Sequence, residues 1–314
     1  MEQKLISVAG PTASGKSDLA LFLAERFDGE IVSFDSMQIY RGMDIGTAKP
    51  TKEELSRVPH HMIDVAEPTE NFSVADFTAR ANAVIEEIRL RGKTPILCGG
   101  TGLYLDSLLT DTKFGELEAD EEYRTHLADI AKKDGNAALH AMLEKQDPEA
   151  AEKIHMNNVK RVIRALEIIK VSGMTKTEWD KKARENSTSV PCTMLALNYR
   201  DREKLYARID MRVDIMMDGG LFDEVKGLYE KGLLKEGTTA YDAIGYKEML
   251  PCVRGEEPIS VAADRVKLAT RHYAKRQLTW FLRNKAINWL YPDDYASKEG
   301  LYTAAEQMVL NDRG

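Results

Sequence analysis

An eight-residue, glycine-rich segment near the start of the chain constrains the fold more than any other feature of the sequence. It fits the pattern G-x-x-x-x-G-K-[ST], follows a short apolar run at 5–9 and precedes an amphipathic helical pattern at 16–27. We call it the phosphate loop; it consists of Gly10, Pro11, Thr12, Ala13, Ser14, Gly15, Lys16 and Ser17. Between a strand and a helix, this pattern predicts a backbone that wraps around phosphate groups, in preference to an incidental glycine-rich turn.

The residue types of the phosphate loop suit anion binding. Glycines let consecutive backbone N–H groups face an anion, and the N-terminus of the following helix adds positive potential. Lys16 supplies a mobile positive charge, and Ser17 offers a hydroxyl to Mg²⁺. The sequence therefore predicts a cradle for a diphosphate or triphosphate with a magnesium ion, without indicating which bond breaks.

Hydrophobic patterns around the phosphate loop indicate the fold class. Short apolar runs at 5–9, 30–34, 94–98 and 193–198 predict buried strands of a parallel sheet. Helical patterns at 16–27 and 74–91 alternate with them, and two long helical segments are expected at 201–231 and 260–285. This alternation predicts an α/β fold whose parallel-sheet core is like that of P-loop nucleoside triphosphatases.

The middle of the chain lacks any strand pattern. Its helical periodicity is clearest at Val159, Val162, Ile163, Leu166 and Ile169. A length of 314 residues is also typical of two domains. We therefore expect an all-helical domain at 116–189, inserted into a discontinuous core domain at 1–115 and 190–314.

The charge of the chain is unevenly distributed. Its 44 Lys and Arg residues and 51 Asp and Glu residues give a net charge of −7, which disfavours a nucleic-acid partner if it is treated as uniform. Residues 116–152, with eleven acids and four bases, account for the whole surplus. By contrast, 153–170 has five bases and one acid, and 261–285 has seven bases and one acid. Local basic surfaces therefore remain possible.

Other sequence features concern the cellular location of the protein and the role of its cysteines. No apolar run approaches the roughly 18 residues that a membrane helix needs, and the first four residues lead directly into a strand pattern. Three cysteines without a CxxC pair indicate neither a disulfide framework nor a zinc site. We expect a cytoplasmic protein that has no membrane partner and is a monomer.

These patterns do not decide the enzyme class. A GTPase would carry Asn-Lys-x-Asp for guanine, but the single Asn-Lys pair, Asn284-Lys285, continues with Ala286 and Ile287. A motor ATPase would carry an acid at the end of a Walker B strand, whereas the strand at 94–98 runs into Gly99. Both absences disfavour motors and switches.

Several further segments, taken in order behind the phosphate loop, closely resemble the bacterial tRNA dimethylallyltransferase family. They are SFDSMQIY at 33–40, IGTAKP at 45–50, HHMID at 60–64, GGTGLY at 99–104, RVIRALE at 161–167, AIGY at 243–246 and TRHYAKRQ at 270–277. The resemblance spans nearly the whole chain and is weakest at 111–152 and near the C-terminus. Leu282 stands where the family pattern has an arginine, so no role is carried over to the neighbouring Arg283.

The resemblance implies a reaction and its participants. The dimethylallyl group of dimethylallyl diphosphate would be transferred to N6 of adenosine 37, next to the tRNA anticodon, with release of pyrophosphate. The partners would be the anticodon stem-loop and dimethylallyl diphosphate, the cofactor would be Mg²⁺ held with Ser17, and the inserted domain would help to clamp the anticodon arm.

The resemblance also implies catalytic roles. Asp35 would be the general base that removes the N6 proton, although an isolated Asp-Ser pair would more often cap a helix or turn. Lys16 would bind the leaving diphosphate, Thr101 would donate near its bridging oxygen, and Arg212 would clamp it. For Arg212, a surface ion pair with Asp214 or Asp218 is the alternative.

The predicted tRNA contacts fall into two groups. Around the target adenine, whose edge Gln38 could recognise with its amide, the resemblance places Asp35, Ser36, Met37, Gln38 and Thr101. On the inserted domain, Lys160, Arg161 and Arg164 share one side of a helix by their spacing. Arg124 would contact tRNA by resemblance, although nearby acids could equally neutralise it.

A second basic stripe is expected in the last long helical segment. Diphosphate binding, tRNA binding and simple solvation are all open for it. Its members, at helical spacing, are Arg265, His272, Arg276 and Arg283.

Three alternatives to tRNA prenylation are retained. An adenylate isopentenyltransferase would act on free nucleotides, but the insertion and its basic helix would then have no purpose. A small-molecule or nucleoside kinase would use ATP at the phosphate loop. A P-loop RNA-binding or regulatory protein would bind nucleotide without turnover.

Overall fold

The computed structural model describes residues 4–112, 117, 119–185 and 187–313. They divide into two compact units: a core unit of Met1–Leu109 with Pro191–Gly314, and a helical unit of Thr110–Val190. Of the two expected domain boundaries, the one between residues 115 and 116 lies outside the described residues. The other, between residues 189 and 190, is one residue from the start of Pro191–Gly314.

The described residues form eight strands and fourteen α-helices. The strands are β1 (Leu5–Ala9), β2 (Gly29–Ser33), β3 (His60–His61), β4 (Thr94–Gly99), β5 (Thr110–Thr112), β6 (Ser187–Ser189), β7 (Cys192–Leu197) and β8 (Asn288–Leu290). The helices are α1 (Lys16–Arg26), α2 (Lys52–Arg57), α3 (Val74–Leu90), α4 (Gly102–Leu109), α5 (Glu121–Asp134), α6 (Asn136–Gln146), α7 (Pro148–Lys153), α8 (Val159–Ser172), α9 (Lys176–Glu185), α10 (Arg202–Asp218), α11 (Leu221–Glu230), α12 (Tyr246–Val253), α13 (Ile259–Phe281) and α14 (Lys298–Arg313).

A six-stranded parallel sheet of order β3-β2-β4-β1-β7-β8 forms the centre of the core unit. The central strand β1 pairs Ile6 with Ile96 and Thr193, and every residue of this strand is buried. Strands covered on both faces have continuous apolar runs, which is why β1, β2, β4 and β7 were predictable. The edge strands β3 and β8 have two and three residues, too few for a detectable period.

The core unit has two large apolar clusters. One joins the sheet to α1 and α14, and the other joins α11, α12 and α13 to residues 39–43. The expectation of one helical segment at 201–231 is wrong, because α10 ends before Gly219 and α11 begins after Gly220. Gly220 has a φ of +95°, a left-handed conformation that interrupts a helix.

The helical unit contains α5 to α9 around its own apolar cluster, which includes Leu127, Leu139, Leu143 and Leu166. It is not all-helical, however, because β5 and β6 form a short antiparallel pair with Thr110 opposite Ser189. Three-residue strands of polar residues carry no alternating apolar pattern, so the sequence does not indicate them. In neither unit do the described residues include a helix that is long and apolar enough to cross a membrane.

Candidate active site

The carboxyl ends of β1, β2 and β4 bring the predicted site residues together. The phosphate loop follows β1, Asp35 follows β2, and Thr101 follows β4. Because parallel strands end at the same edge of a sheet, segments far apart in sequence meet there. The core unit therefore forms one site from these three loops.

The backbone of the phosphate loop requires glycine at its start. Gly10 has a φ of +142°, and a Cβ atom there would lie 2.7 Å from the carbonyl oxygen of Leu197. At the other end, Gly15 has a φ of +93° and precedes α1. The amides of Gly15, Lys16 and Ser17 make no hydrogen bond to any residue that the structure describes. They are available to an anion at the helix N-terminus.

Two other amides of the phosphate loop are already engaged. Thr12 N donates to Gln277 Oε1 at 2.9 Å, and Ser14 N donates to Pro11 O at 3.3 Å. The loop is also held from α10, where Arg208 Nε donates to Ala13 O at 2.9 Å. The part of the loop that can bind phosphate is therefore its C-terminal half, which the sequence pattern alone does not indicate.

Lys16 and Arg212 place two cations beside each other. Lys16 Nζ donates to Pro11 O at 3.4 Å, and burial together with the neighbouring Arg212 lowers the pKa of Lys16. Burial also lowers the pKa of Arg212, whereas the charge of Asp35 raises it. An anion between the two cations would offset their desolvation and mutual repulsion.

The Arg212 side chain faces the cavity of the site. Its Nε atom is buried without a hydrogen-bond partner in the described structure. The alternative partner Asp214 instead pairs with Lys267, at 2.6 Å. This arrangement favours the predicted anion-binding position over the surface ion pair with Asp214.

The surroundings of Asp35 fit both interpretations of its sequence context, a turn cap and a general base. Its Oδ1 accepts a hydrogen bond from Met37 N at 2.9 Å, so it caps the turn after β2. Its Oδ2 makes no hydrogen bond to a described residue, and the side chain lines the cavity. One carboxylate oxygen therefore holds the turn while the other can accept a proton.

Thr101 contacts the Asp35 turn directly. Its Oγ1 accepts from Ser36 N at 3.0 Å and donates to Ser36 Oγ at 3.2 Å. Burial raises the pKa of Tyr273 of α13, and the neighbouring side chains of Thr101 and Gln277 offset part of this effect. Thr101 thus joins the loop after β4 to the turn that carries Asp35.

The amide of Gln38 is hydrogen-bonded within the protein. Its Oε1 accepts from Ser33 Oγ at 2.9 Å, and its Nε2 donates to Thr47 O at 3.4 Å and Ala48 O at 3.2 Å. Gln38 lines the cavity beside Met37. Recognition of an adenine edge by this amide would require exchange of some of these bonds, and its role stays a prediction.

A cavity of about 310 Å³ connects these residues. Its polar lining residues include Thr12, Lys16, Ser17, Asp35, Arg212 and Arg276. Its apolar lining residues include Met37, Val213, Met216, Ala243, Ile244 and Val266. The cavity therefore suits a ligand that joins an anionic group to a small hydrocarbon.

Helix α13 contributes site residues to which the sequence assigned no individual role. Thr270, Tyr273 and Gln277 line the cavity at i, i+3 and i+7, which places them on one face of the helix. The expected basic stripe is not uniform. Arg265 pairs with Glu257 and donates to Glu248 O at 2.8 Å, whereas Arg276 lines the cavity.

The helical unit has a separate basic surface built on a buried carboxylate. Glu167 is fully buried, and its two oxygens accept from Arg124 at 2.8 Å and from Arg164 at 2.5 Å. Burial alone would raise the pKa of Glu167, but hydrogen bonds from these arginines lower it. Arg124 is thus neutralised locally, by Glu167 and also by Glu121 at 2.8 Å. Both guanidinium groups remain partly exposed.

Lys160 and Arg161 lie at the start of the same helix, α8, and both are exposed. Arg164 is one turn further along. The structure thus brings Arg124 next to Arg164 and leaves Lys160 and Arg161 at the helix N-terminal end. The four predicted tRNA contacts do not form one uniform strip.

Comparisons with known proteins agree with one another. A family model described as IPP transferase matches residues 38–285. A tRNA dimethylallyltransferase of Halalkalibacterium halodurans is 49% identical over 290 residues, which are 92% of this chain and 91% of the relative. A tRNA dimethylallyltransferase of Caldanaerobacter subterraneus subsp. tengcongensis is 46% identical over 303 residues, which are 96% of each chain.

Solved structures are similar over nearly the whole chain. The full-length tRNA isopentenylpyrophosphate transferase of Bacillus halodurans has a TM-score of 0.71 and 42% identity, covering 99% of this chain and 98% of the relative. A eukaryotic dimethylallyltransferase acting on tRNA has a TM-score of 0.82 and 31% identity, covering 98% of this chain and 80% of the relative. These similarities extend well beyond the phosphate loop.

Proposed function

The chain belongs to the IPP transferase family, a family of prenyl-transferring enzymes, and from this membership we propose its specific reaction. It transfers the dimethylallyl group of dimethylallyl diphosphate to N6 of adenosine 37 in tRNA, next to the anticodon. The products are pyrophosphate and N6-(dimethylallyl)adenosine. The observation that carries this proposal is the cavity of about 310 Å³, which joins Lys16 and Arg212, the carboxylate of Asp35 and an apolar wall.

The polar part of the cavity binds the diphosphate. Cleavage of the allylic C–O bond places growing negative charge on the leaving pyrophosphate. Lys16, Arg212 and the amides of Gly15, Lys16 and Ser17 are preorganised donors for that charge, so they act mainly in the transition state. Thr101, whose Oγ1 bonds Ser36 beside Asp35, would donate near the bridging oxygen of the diphosphate.

Asp35 acts as the general base. The lone pair of adenine N6 is delocalised into the ring, so the amine is a poor nucleophile until its proton is removed. Asp35 lines the cavity, and its Oδ2 atom, which has no hydrogen-bond partner among the described residues, accepts that proton. The bond from Met37 N to Oδ1 keeps the carboxylate oriented.

The site suits a Mg²⁺ ion whose ligands come mainly from the phosphate groups of the substrate. No group of three or more His, Cys, Asp or Glu side chains in the described ranges is arranged to hold a metal ion. Mg²⁺ usually keeps several waters and binds through few protein ligands together with phosphate oxygens. The Ser17 hydroxyl, beside open amides at the start of α1, is a suitable single ligand. The ion would supply positive charge to the diphosphate.

The tRNA contacts follow from the same reaction. The target adenine lies against Asp35, Ser36, Met37, Gln38 and Thr101, while basic residues of the helical unit contact the anticodon stem-loop. These basic residues are Arg124, Lys160, Arg161 and Arg164. We place the reaction in the cytoplasm, where tRNA is processed, and assign it to a monomer.

One assay tests the proposal against its alternatives. The protein is incubated with labelled dimethylallyl diphosphate, Mg²⁺ and unmodified tRNA, with AMP and ATP present as competing substrates. We expect the label at adenosine 37 of tRNA, identified by nuclease digestion. Label in AMP would indicate an adenylate isopentenyltransferase, and phosphate transfer from ATP would indicate a kinase; either would contradict the proposal.

A further inference from the structure

Gln277 of α13 joins two loops of the active site through one buried amide. The side chain is 4% exposed. Its Oε1 accepts from Thr12 N of the phosphate loop at 2.9 Å, and its Nε2 donates to Gly100 O at 2.9 Å. These two partners are 88 positions apart in sequence, and each precedes residues that the proposed reaction uses.

The loop after β4 is shaped to admit this amide. A Cβ atom on Gly100 would lie 2.1 Å from Gln277 Nε2, so a larger residue there would displace the amide from its observed position. One helical turn away from the amide, a Cβ atom on Gly102 would lie 2.1 Å from the indole ring of Trp280. Helix α13 is therefore packed closely against this loop at two successive points.

The hydrogen bonds form a continuous path across the site. The phosphate loop contacts Gln277, which contacts Gly100; the next residue, Thr101, bonds Ser36 beside Asp35. The first end of this path holds the leaving diphosphate, and the last end carries the general base. Errors of about 1 Å in such an arrangement can reduce the rate by about 10²-fold.

We propose that Gln277 is a positioning residue, whose amide fixes the phosphate loop relative to the Thr101–Asp35 segment. This inference rests on the proposed function. This positioning role requires a hydrogen-bond acceptor and a hydrogen-bond donor in one side chain of the size of glutamine. Leucine offers neither. An ionised glutamate accepts from Thr12 N but cannot donate to Gly100 O, whereas a protonated glutamate can do both.

The test compares Gln277→Leu and Gln277→Glu with the wild type in the tRNA prenylation assay. For Gln277→Leu we expect kcat to fall by about 10²-fold, with the Kd for tRNA within about twofold of the wild type. For Gln277→Glu we expect a similar loss at pH 8, and partial recovery relative to the wild type as the pH falls and the carboxyl group is protonated. Dividing by the wild-type rate at each pH removes any pH dependence that the variant and the wild type share.

Control measurements separate positioning from folding. Thr279→Ala changes an exposed residue of the same helix, whose hydroxyl donates only to Lys275 O at 2.9 Å, and it should leave kcat unchanged. Thermal unfolding shows whether each variant is folded at the assay temperature. If Gln277→Leu does not fold, the proposal is tested by the pH dependence of the kcat of Gln277→Glu divided by the wild-type kcat.

Two results would overturn the proposal. One is a folded Gln277→Leu enzyme with kcat within about twofold of the wild type, and the other is a Gln277→Glu ratio that does not change with pH. Failure of the proposed function would look different, because the wild-type protein itself would then not transfer the dimethylallyl group to tRNA.

Discussion

The two carboxylate oxygens of Asp35 have different tasks. Oδ1 accepts from Met37 N at 2.9 Å and holds the turn after β2, while Oδ2 makes no hydrogen bond to a described residue and the side chain lines the cavity. The sequence context of an Asp-Ser pair suggests a capping role, and the resemblance suggests a base. Because the two oxygens are independent acceptors, the structure accommodates both functions.

This division predicts the behaviour of Asp35→Asn. The amide oxygen can still accept from Met37 N, so the turn is kept, but the proton acceptor is lost. We expect kcat to fall by about 10²-fold or more, while the Kd for pyrophosphate, measured by calorimetry, stays within about twofold. Asp28→Asn, at an exposed aspartate before β2, is the matched control and should be fully active. Loss of pyrophosphate binding together with turnover would refute the separation of these two tasks.

At the scale of elements, helix α8 carries opposite faces with different roles. Val162, Ala165 and Leu166 are buried in the helical unit, whereas Lys160 and Arg161 are exposed. Glu167 belongs to the buried face, yet it organises the guanidinium groups of Arg124 and Arg164. The helix therefore combines a core surface with a basic one.

Charge reversal on α8 tests its role in tRNA binding. Lys160→Glu with Arg161→Glu should raise the Kd for tRNA by about tenfold or more and reduce the slope of log Kd against log salt by about 1 to 2. The same reversal at the exposed Lys132 and Lys133 of α5 is the control for net charge. Equal effects of the two double variants would mean that α8 makes no specific contact, and filter binding at several salt concentrations distinguishes these outcomes.

A second element-scale feature is the junction of α7 and α9 at Asp147, which is 2% exposed. Its carboxylate accepts from Ala150 N at 3.0 Å, from Thr177 N at 2.9 Å and from Thr177 Oγ1 at 2.8 Å. Burial alone would raise the pKa of Asp147, but the hydrogen bonds to its ionised form outweigh this effect and lower it. The ionised carboxylate therefore stabilises the helical unit.

The sign of this shift predicts a pH dependence. Because the folded pKa lies below the usual value of 3.8, the contribution of Asp147 is present above about pH 4 and is lost as the pH falls further. Asp147→Ala should lower the free energy of unfolding by about 2 to 4 kcal/mol at pH 7, and by less at pH 3. Asp134→Ala, at the exposed end of α5, should be close to neutral. Denaturant titrations at both pH values would show a pH-independent difference if this explanation is wrong.

At the scale of the whole molecule, the net charge of −7 limits which nucleic acids can bind. Because the chain outside residues 116–152 has no net charge, its overall charge does not attract a phosphate backbone, so binding must come from local basic groups and from the cavity. We expect the anticodon stem-loop to bind at least about 10²-fold more tightly than random duplex DNA at physiological salt. Competition experiments followed by fluorescence anisotropy measure this ratio, and comparable affinities would show that the interaction is generic.

Features that depend on local geometry could be predicted from the sequence alone. Continuous apolar runs predict the four buried strands, and the glycines and Lys16 of the phosphate loop predict an anion cradle where a strand leads into a helix. The family resemblance added Asp35, Thr101 and Arg212 as candidates. None of these inferences requires knowledge of which distant residues meet.

Which side chains pair with one another became known only from the folded structure. Gln277 takes up the amide of Thr12, Glu167 binds two arginines, and Arg265 is neutralised by Glu257 rather than joining a basic stripe. Apart from the i, i+3 pair of Arg164 with Glu167 inside α8, each of these contacts joins residues from different segments of the chain. Hydrogen bonds and ion pairs form only between atoms about 3 Å apart. They therefore depend on which elements are adjacent in the folded chain, and sequence periodicity does not predict those long-range contacts.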